Sequence, residues 1–174
     1  MVANQPWAGV HSDLLSARAR VYDPGGFTCS QPVPEPESAE YAAHGFTLDG
    51  LSVRFRVAKT TPTKVGQFVT VWQRSPEGPI RPFDVADGID LVVISSRAGG
   101  HFGQFVFPGE VLCERGIMSR DGSAGKRGFR VYPPWVTTTV RQARSTQAWQ
   151  VDYFLHLGES GRVDLARARA LYHP

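Results

Sequence analysis

Apolar and polar residues alternate strictly through the segment LSVRFRV, residues 51–57. A period of two is typical of a β-strand that buries one face. The segment that follows, residues 65–74, has bulky apolar side chains on both faces. This second pattern predicts a central strand that is covered on both sides. These two segments and the short linker between them are predicted to organise the fold.

Other strands are predicted before and after this pair. Asp49-Gly50 has the residues that a tight type I′ hairpin turn requires. Pro82 within residues 80–83, and Pro79 directly before them, restrict that segment to a sheet edge. The continuous apolar run in residues 91–96 predicts a buried strand. The full set of predicted strands is residues 41–48, 51–57, 65–74, 80–83, 91–96, 102–107 and 129–132.

Helical spacing of apolar residues occurs near both ends of the chain. Ser12 is predicted to cap a first helix, which the sequence DPGG at residues 23–26 ends. Proline at every other position predicts an extended, exposed connector at residues 31–37. A long helix is predicted at residues 138–157, with a break at residues 158–161. Asp164 is predicted to cap a final helix.

The order of these elements predicts a single α+β domain, with a central, mainly antiparallel sheet flanked by helices. The chain of 174 residues is long enough for one domain with a proper core. We divide it into an N-terminal helix and connector, residues 1–37, and a main body, residues 38–174. Two cysteines outside any CxxC pattern, no secretory signal pattern and no long apolar run predict a cytoplasmic protein with no membrane partner.

The basic residues comprise sixteen arginines and three lysines, with a net charge of +3. Such an arginine excess fits either a coding bias or bidentate contacts to phosphate. One basic group lies in residues 54–81, and a second surrounds the glycine-rich loop at residues 120–128. Basic loops with free backbone N–H groups suit phosphate oxygens, and nearby aromatic side chains can stack on bases. Solvated strand faces are the alternative interpretation.

Asp84, Asp87 and Asp90 precede a predicted buried strand at intervals of three residues. Three such carboxylates can hold Mg²⁺. We favour a turn in which the aspartates accept hydrogen bonds from backbone N–H groups, so no metal site is predicted. A metal-dependent nuclease would use an Asp/Glu-x-Lys pair, which does not occur in this chain. If the chain is a nuclease nonetheless, its candidate catalytic residues are Glu40, Asp90 and Lys59, with Mg²⁺ as the cofactor; otherwise no catalytic residue and no cofactor are predicted.

Several blocks of the sequence resemble the MepB family, and the resemblance extends over residues 38–172. The blocks are FRVAKTTPTKVGQFVTVWQR at residues 55–74, RPFD at residues 81–84, GQFVFP at residues 103–108, GKRGFRVYPPW at residues 125–135 and TQAWQVDYF at residues 146–154. The resemblance implies a small cytosolic bacterial protein with a fold similar to restriction-endonuclease domains. The block GQFVFPGEVL, residues 103–112, also resembles B3-type and restriction effector domains, which bind DNA with a pseudobarrel and do not cut it.

The resemblance implies contact with nucleic acid through polar residues inside the matching blocks. These are Lys59, Lys64, Gln67, Arg74, Gln104, Lys126, Arg127 and Arg130. We add Tyr132, which can pack against a sugar or a base. The missing Asp/Glu-x-Lys pair departs from an active nuclease and favours a non-catalytic nucleic-acid-binding domain. The alternatives are a divergent Mg²⁺-dependent nuclease, or an accessory protein for drug tolerance that binds a small molecule or a partner protein, with Trp72 and Trp149 lining a pocket.

Overall fold

The computed structural model describes residues 7–158 and 162–174. The strands are β1 (Val33–Pro34), β2 (His44–Leu48), β3 (Leu51–Val57), β4 (Lys59–Thr60), β5 (Gln67–Thr70), β6 (Trp72–Arg74), β7 (Ile80–Pro82), β8 (Leu91–Ala98), β9 (His101–Pro108), β10 (Gly128–Val131) and β11 (Phe154–His156). The α-helices are α1 (Ser12–Ala17), α2 (Asp23–Gly25), α3 (Gly109–Glu114), α4 (Arg141–Gln150) and α5 (Leu165–Tyr172). A π-helical turn, Arg18–Tyr22, joins α1 to α2. Within the described ranges, no helix is both long and apolar enough to cross a membrane.

A six-stranded sheet with the order β1-β2-β3-β8-β9-β11 forms the centre of the protein. All neighbouring strands in it are antiparallel except β3 and β8, which are parallel. The predicted single α+β domain with a central, mainly antiparallel sheet is therefore confirmed. Two smaller sheets accompany it, one with the order β10-β5-β4 and one formed by β6 and β7. The likeness to restriction-endonuclease domains and the B3-like alternative stay predictions.

Apolar side chains cover both faces of the central sheet. In β8, Leu91 and Val93 face a layer that contains α1 and α5, while Val92 and Ile94 face a layer that contains β5, β10 and α3. A strand covered on both faces needs apolar residues at every position, which explains the continuous apolar run. The hairpin between β2 and β3 is also as predicted, because Asp49 and Gly50 have φ values of 49° and 82°.

The N-terminal helix packs into the first of these layers. Its Asp13 is 3% exposed and accepts hydrogen bonds from the Ser95 hydroxyl at 2.8 Å and from Arg97 Nη2 at 2.9 Å. The predicted cap, Ser12, is wrong by one residue: His11 precedes the helix, and its Nδ1 accepts the Asp13 N–H at 3.0 Å. A carboxylate that bonds to the sheet therefore fixes the start of this helix.

The proline-rich connector is extended where β1 pairs with β2, and a 3₁₀-helix, Pro36–Tyr41, follows. Between them, Glu35 accepts hydrogen bonds from Arg56 Nη1 at 3.2 Å and from Arg56 Nη2 at 3.1 Å. Arg56 lies in β3 and is 0% exposed. The connector thus supplies the carboxylate for an arginine inside the protein. The division of the chain after residue 37 stays a prediction.

Two predicted elements differ from the structure. Residues 65–74 do not form one central strand but contribute β5 and β6 to the two small sheets. Gln67, Val69 and Val71 are buried on one face, and the two residues between them are half-exposed. The helix predicted at residues 138–157 spans only Arg141–Gln150. A 3₁₀-turn, Val151–Tyr153, and then β11 follow it, because pairing with the free edge of β9 overrides the helical periodicity. Most of the predicted break, residues 159–161, lies outside the described residues.

Candidate functional site

An open groove with a volume of about 670 Å³ lies between β10, α4, the end of α3 and the loop that precedes β5. Four cationic side chains line it, from three separate parts of the chain: Lys64, Arg115, Lys126 and Arg130. No aspartate or glutamate is among the described residues that line it. We call this feature the basic groove. It collects positive charge in a concave surface, where an anionic ligand would be attracted most strongly.

The cations of the basic groove have no carboxylate partners, unlike several basic residues elsewhere in the fold. Elsewhere, Glu35 neutralises two arginines of β3, and Asp87 binds Arg81 Nη2 at 2.7 Å. By contrast, no carboxylate in residues 7–158 or 162–174 lies within 4.0 Å of a groove cation. Charges that no carboxylate neutralises leave their field available to an anionic ligand.

The loop at residues 61–66 forms one wall of the groove and is held against β10. Arg130 Nη1 donates a hydrogen bond to the Val65 carbonyl at 3.2 Å, and Nη2 donates to Thr61 Oγ1. Gly66 has a φ of 79°, and a Cβ there would lie 2.7 Å from the Val131 carbonyl oxygen and 2.8 Å from the Tyr132 ring. Only glycine permits both this conformation and this close approach. Lys64 is therefore carried on a fixed loop.

Helix α4 forms the opposite wall, and Gln150 fixes it to the end of β10. Its Oε1 accepts the Tyr132 N–H at 2.8 Å, and its Nε2 donates to the Arg130 carbonyl at 2.9 Å. At the preceding residue, Trp149, the centroid of the ring lies 4.9 Å from Cζ of the Arg115 guanidinium. A cation over an aromatic ring is an attractive arrangement, and it brings α3 and α4 together at the groove.

Apolar groups form much of the rest of the groove. Ile117 and Phe129 are buried and form its floor, and Tyr132 and Trp149 are half-buried in its walls. Two valines stand at the rim, where they are largely exposed. The groove can therefore offer cationic donors and apolar surface to one ligand.

The structure brings together four of the nine predicted nucleic-acid-binding residues: Lys64, Lys126, Arg130 and Tyr132. Arg127, Arg74 and Lys59 are exposed but outside the groove lining. Gln67 is 5% exposed and Gln104 is 0% exposed, so neither can reach a ligand. The amide of Gln67 bonds to Thr60, Ser96 and the Arg97 carbonyl, and that of Gln104 donates to the Asp13 carbonyl at 3.4 Å.

Arg115 and Trp149 also line the groove, although neither is among the nine residues predicted to bind nucleic acid. Arg115 precedes the glycine-rich loop and lies at the end of α3. Trp149 is predicted to line a pocket only in the alternative of an accessory protein. The basic character of residues 115–130 is a feature of the sequence that indicates Arg115. The contact between Arg115 and Trp149 depends on tertiary structure, and no sequence pattern indicates it.

Of the three candidate nuclease residues, two lie together and the third, Asp90, lies apart from them. Lys59 Nζ lies 4.0 Å from Glu40 Oε2 and over the Tyr41 ring. Asp90 accepts the Ser52 N–H at 2.8 Å, at the opposite end of β3 from Lys59. Seven residues of extended chain separate these positions by roughly 20 Å. The trio Glu40, Asp90 and Lys59 therefore forms no common site.

The three aspartates considered for metal binding serve the backbone instead. Asp84 and Asp87 form a capping box around a 3₁₀-turn, Val85–Asp87, and Asp87 also pairs with Arg81. Asp90 points to a different backbone N–H, as described above. Among the residues that the structure describes, no three His, Cys, Asp or Glu side chains lie where they could share a metal ion.

Hydrogen bonds from the Ser119 hydroxyl, and then from the Ala86 and Gly122 N–H groups, lower the pKa of Asp84 to about 2. Since this folded-state pKa is below the unfolded value of about 3.9, the stabilisation is complete above the unfolded pKa and is lost as the pH falls toward about 2. We expect Asp84→Asn to be less stable than wild type at neutral pH, by a difference that shrinks between about pH 5 and about pH 2. Urea denaturation at several pH values measures this.

The exposed Asp152 offers a matched control for that experiment. Asp152→Asn changes the same chemical group where burial and capping are absent, so its stability should follow wild type at each pH. A constant difference between Asp84→Asn and wild type across this pH range would contradict the role assigned to Asp84.

Fold and groove together define a small α+β protein with a cationic, partly apolar groove. The model of the MepB-like family matches residues 35–156, a range that includes every residue named for the basic groove. The chain belongs to the MepB-like family. It is similar to a solved structure described as "Crystal Structure of MepB", with 33% sequence identity and a TM-score of 0.72 over 76% of this chain and 89% of that chain. Comparison with curated proteins gives no match.

Proposed function

We propose that this protein binds nucleic acid without cleaving it, and that the basic groove contacts the phosphate backbone. The observation that carries the proposal is the set of four cations without carboxylate partners, gathered from three segments into one concave surface. Arginine and lysine form charge-assisted hydrogen bonds with phosphate oxygens, and arginine can do so through two N–H groups at once. A ligand with a regular row of phosphates matches such a set of donors.

Two further features support binding without catalysis. The chain has no Asp/Glu-x-Lys pair, and Asp90 lies far from Glu40 and Lys59. A metal-dependent nuclease needs its carboxylates and its metal at one point next to the scissile phosphate. Mg²⁺ has a role only in the alternative of a divergent nuclease, which we rank lower for this reason. For the cell compartment, we propose the bacterial cytoplasm, which the two free cysteines support.

A second candidate function is the binding of a small anionic molecule. The specific observation in its favour is that Trp149 lines a groove whose volume falls in the range of ligand pockets. Trp72, the other tryptophan proposed for such a pocket, lies in β6 outside the groove. Competition by mononucleotides in the assay below distinguishes a small ligand from a strand.

We expect the double substitution Lys64→Gln/Lys126→Gln to weaken nucleic-acid binding and its dependence on salt. Each lost phosphate contact lowers the slope of log K against log salt by about 0.7 to 0.9, so the pair should lower it by about 1.5. At about 100 mM salt this corresponds to an affinity about 30-fold lower. Fluorescence anisotropy of labelled DNA and RNA between about 50 and 200 mM salt measures both quantities.

Arg162→Gln/Arg169→Gln removes the same charge from exposed positions that do not line the groove, and it is the matched control. Its affinity should stay close to wild type. The proposed function is wrong if wild-type protein binds neither DNA nor RNA at low salt. If the control pair weakens binding as much as the groove pair does, the assignment of the binding surface to the basic groove is wrong.

A further inference from the structure

We propose that the basic groove binds single-stranded nucleic acid in preference to a duplex, and that an unpaired base occupies its apolar part. This inference rests on the proposed function, because it specifies the form of nucleic acid that the groove receives. Phosphate contacts with the cations would leave the apolar surface of the groove unused. A duplex would satisfy the cations but keeps its bases stacked inside, whereas a single strand presents both phosphates and free bases.

The interior of the groove is suited to a flat apolar group. Ile117 and Phe129 form the floor, and the rings of Tyr132 and Trp149 contribute to the walls. Base-aromatic stacking is the usual source of affinity in proteins that bind single strands, where it accompanies a positively charged path for the backbone. Arg115 over Trp149 places a cation directly beside one of these rings, so both parts of a nucleotide have a matching surface.

The rim of the groove carries apolar groups that water now surrounds. Val65 is 51% exposed and Val140 is 65% exposed, and they stand on opposite walls. Val140 also occupies the N-cap position of α4, and no side-chain hydrogen bond caps this helix. Serine, aspartate and asparagine are strongly preferred there, and valine is among the poorest residues. An exposed valine at this position does not stabilise the helix, and apolar contact with a ligand would account for its presence.

Charge complementarity favours nucleic acid over the other polyanion that fits a cationic groove, an acidic peptide segment. Carboxylates of a peptide would bind the four cations, but they offer no flat group to the Tyr132 and Trp149 rings. A nucleotide supplies a phosphate and an aromatic base from one unit. We therefore assign the groove to a nucleic-acid strand and treat the peptide as an outcome of the test.

The test compares oligomers of equal length and similar backbone charge. Wild-type protein is titrated by anisotropy with labelled oligo-dT, with the corresponding oligomer of abasic sites, and with a duplex hairpin. We expect oligo-dT to bind about tenfold or more tightly than the abasic oligomer and more tightly than the duplex, since each stacked base contributes substantially to affinity. Unlabelled poly-glutamate of the same length serves as a competitor, and it should displace oligo-dT poorly.

The outcomes separate this inference from the proposed function. Equal affinity for oligo-dT and for the abasic oligomer, or tighter binding of the duplex, would overturn the single-strand assignment and leave phosphate binding in place. Binding of none of these oligomers would reject the proposed function itself. Displacement by poly-glutamate as effective as that by unlabelled oligo-dT would assign the groove to an acidic peptide.

Val140→Ser tests the apolar contact without endangering the fold. Serine can cap α4, so the melting temperature should stay equal or rise. Affinity for oligo-dT should fall about threefold through the lost apolar contact, and affinity for the abasic oligomer should not change. Val33→Ser is the matched control, because Val33 is 62% exposed and outside the groove. Equal oligo-dT affinities for the two variants would refute the contact at Val140.

Discussion

Replacing Glu35 with alanine is expected to lower the free energy of unfolding by about 3 to 5 kcal/mol. Glu35 binds Arg56 through both carboxylate oxygens, and the Arg56 side chain is 0% exposed. The variant would leave a guanidinium inside the protein with the Phe55 carbonyl, at 2.9 Å, as a remaining acceptor. A buried charge that loses its counter-ion is among the most destabilising changes a single substitution can make.

Replacing the other member of the pair, with Arg56→Met, should lower the free energy of unfolding much less. Methionine fills a similar volume next to the ring of Phe83, and Glu35 keeps Arg54 at 3.5 Å and partial access to water. Replacing a whole buried pair with apolar groups is often nearly neutral, so Glu35→Ala/Arg56→Met should recover most of the loss. Urea denaturation of the four proteins completes the cycle.

Glu40→Ala provides the control for Glu35, since the Glu40 side chain is 73% exposed and lies 4.0 Å from Lys59. An exposed pair of this kind is worth less than about 1 kcal/mol. If Glu35→Ala were no more destabilising than Glu40→Ala, the carboxylate would not be the counter-ion that keeps Arg56 inside. If Arg56→Met lowered the free energy of unfolding as much as Glu35→Ala does, the loss would not come from a buried charge without its counter-ion.

Asp13→Ala is expected to have the second largest effect and to lower the free energy of unfolding by about 2 to 4 kcal/mol. Asp13 is 3% exposed and bonds to the hydroxyl of Ser95 and to Arg97, so it joins α1 to the centre of β8. Its loss leaves the buried Ser95 hydroxyl without that acceptor. Since Arg97 is half exposed, its charge can be solvated, which sets the expected loss below that for Glu35.

Asp23→Ala is the corresponding surface change, because the Asp23 side chain is 65% exposed in a weak pair with Arg18 at 3.7 Å. It should alter stability by less than about 1 kcal/mol. Denaturation followed by tryptophan fluorescence is suited to the comparison, as Trp7 is buried in the layer that α1 joins. Equal stability of the two variants would contradict the anchoring role of Asp13.

Much of the central sheet follows from local patterns. The alternation in β3, the apolar run of β8 and the Asp49-Gly50 turn can each be recognised from neighbouring residues alone. The polar face predicted for β3 was wrong for Arg56, because Glu35, distant in the chain, makes its burial possible. Residues 65–74 have the composition of a central strand, yet their neighbours in space are β4, β10 and β7.

The candidate site was predictable to a similar degree. Lys64, Lys126, Arg130 and Tyr132 come from loops and a strand end, where sequence composition indicates exposure. Gln67 and Gln104 look like surface residues of strands, but the polar network that buries them combines Ser96, Arg97 and Asp13, which no local pattern connects. The stacking of Arg115 on Trp149 depends on the packing of α3 against α4, so no spacing in the sequence could indicate it.

If the basic groove binds a nucleic-acid strand as proposed, the valine at the start of α4 implies a conflict between thermal stability and ligand affinity. Val140 lacks the side-chain hydrogen-bond acceptor that stabilises a helix N-terminus. Substitution by serine, aspartate or asparagine should therefore raise the melting temperature. Selection of random variants for heat resistance alone would therefore enrich serine, aspartate or asparagine at residue 140 and erode the rim of the groove. A screen that also demands ligand capture should retain valine.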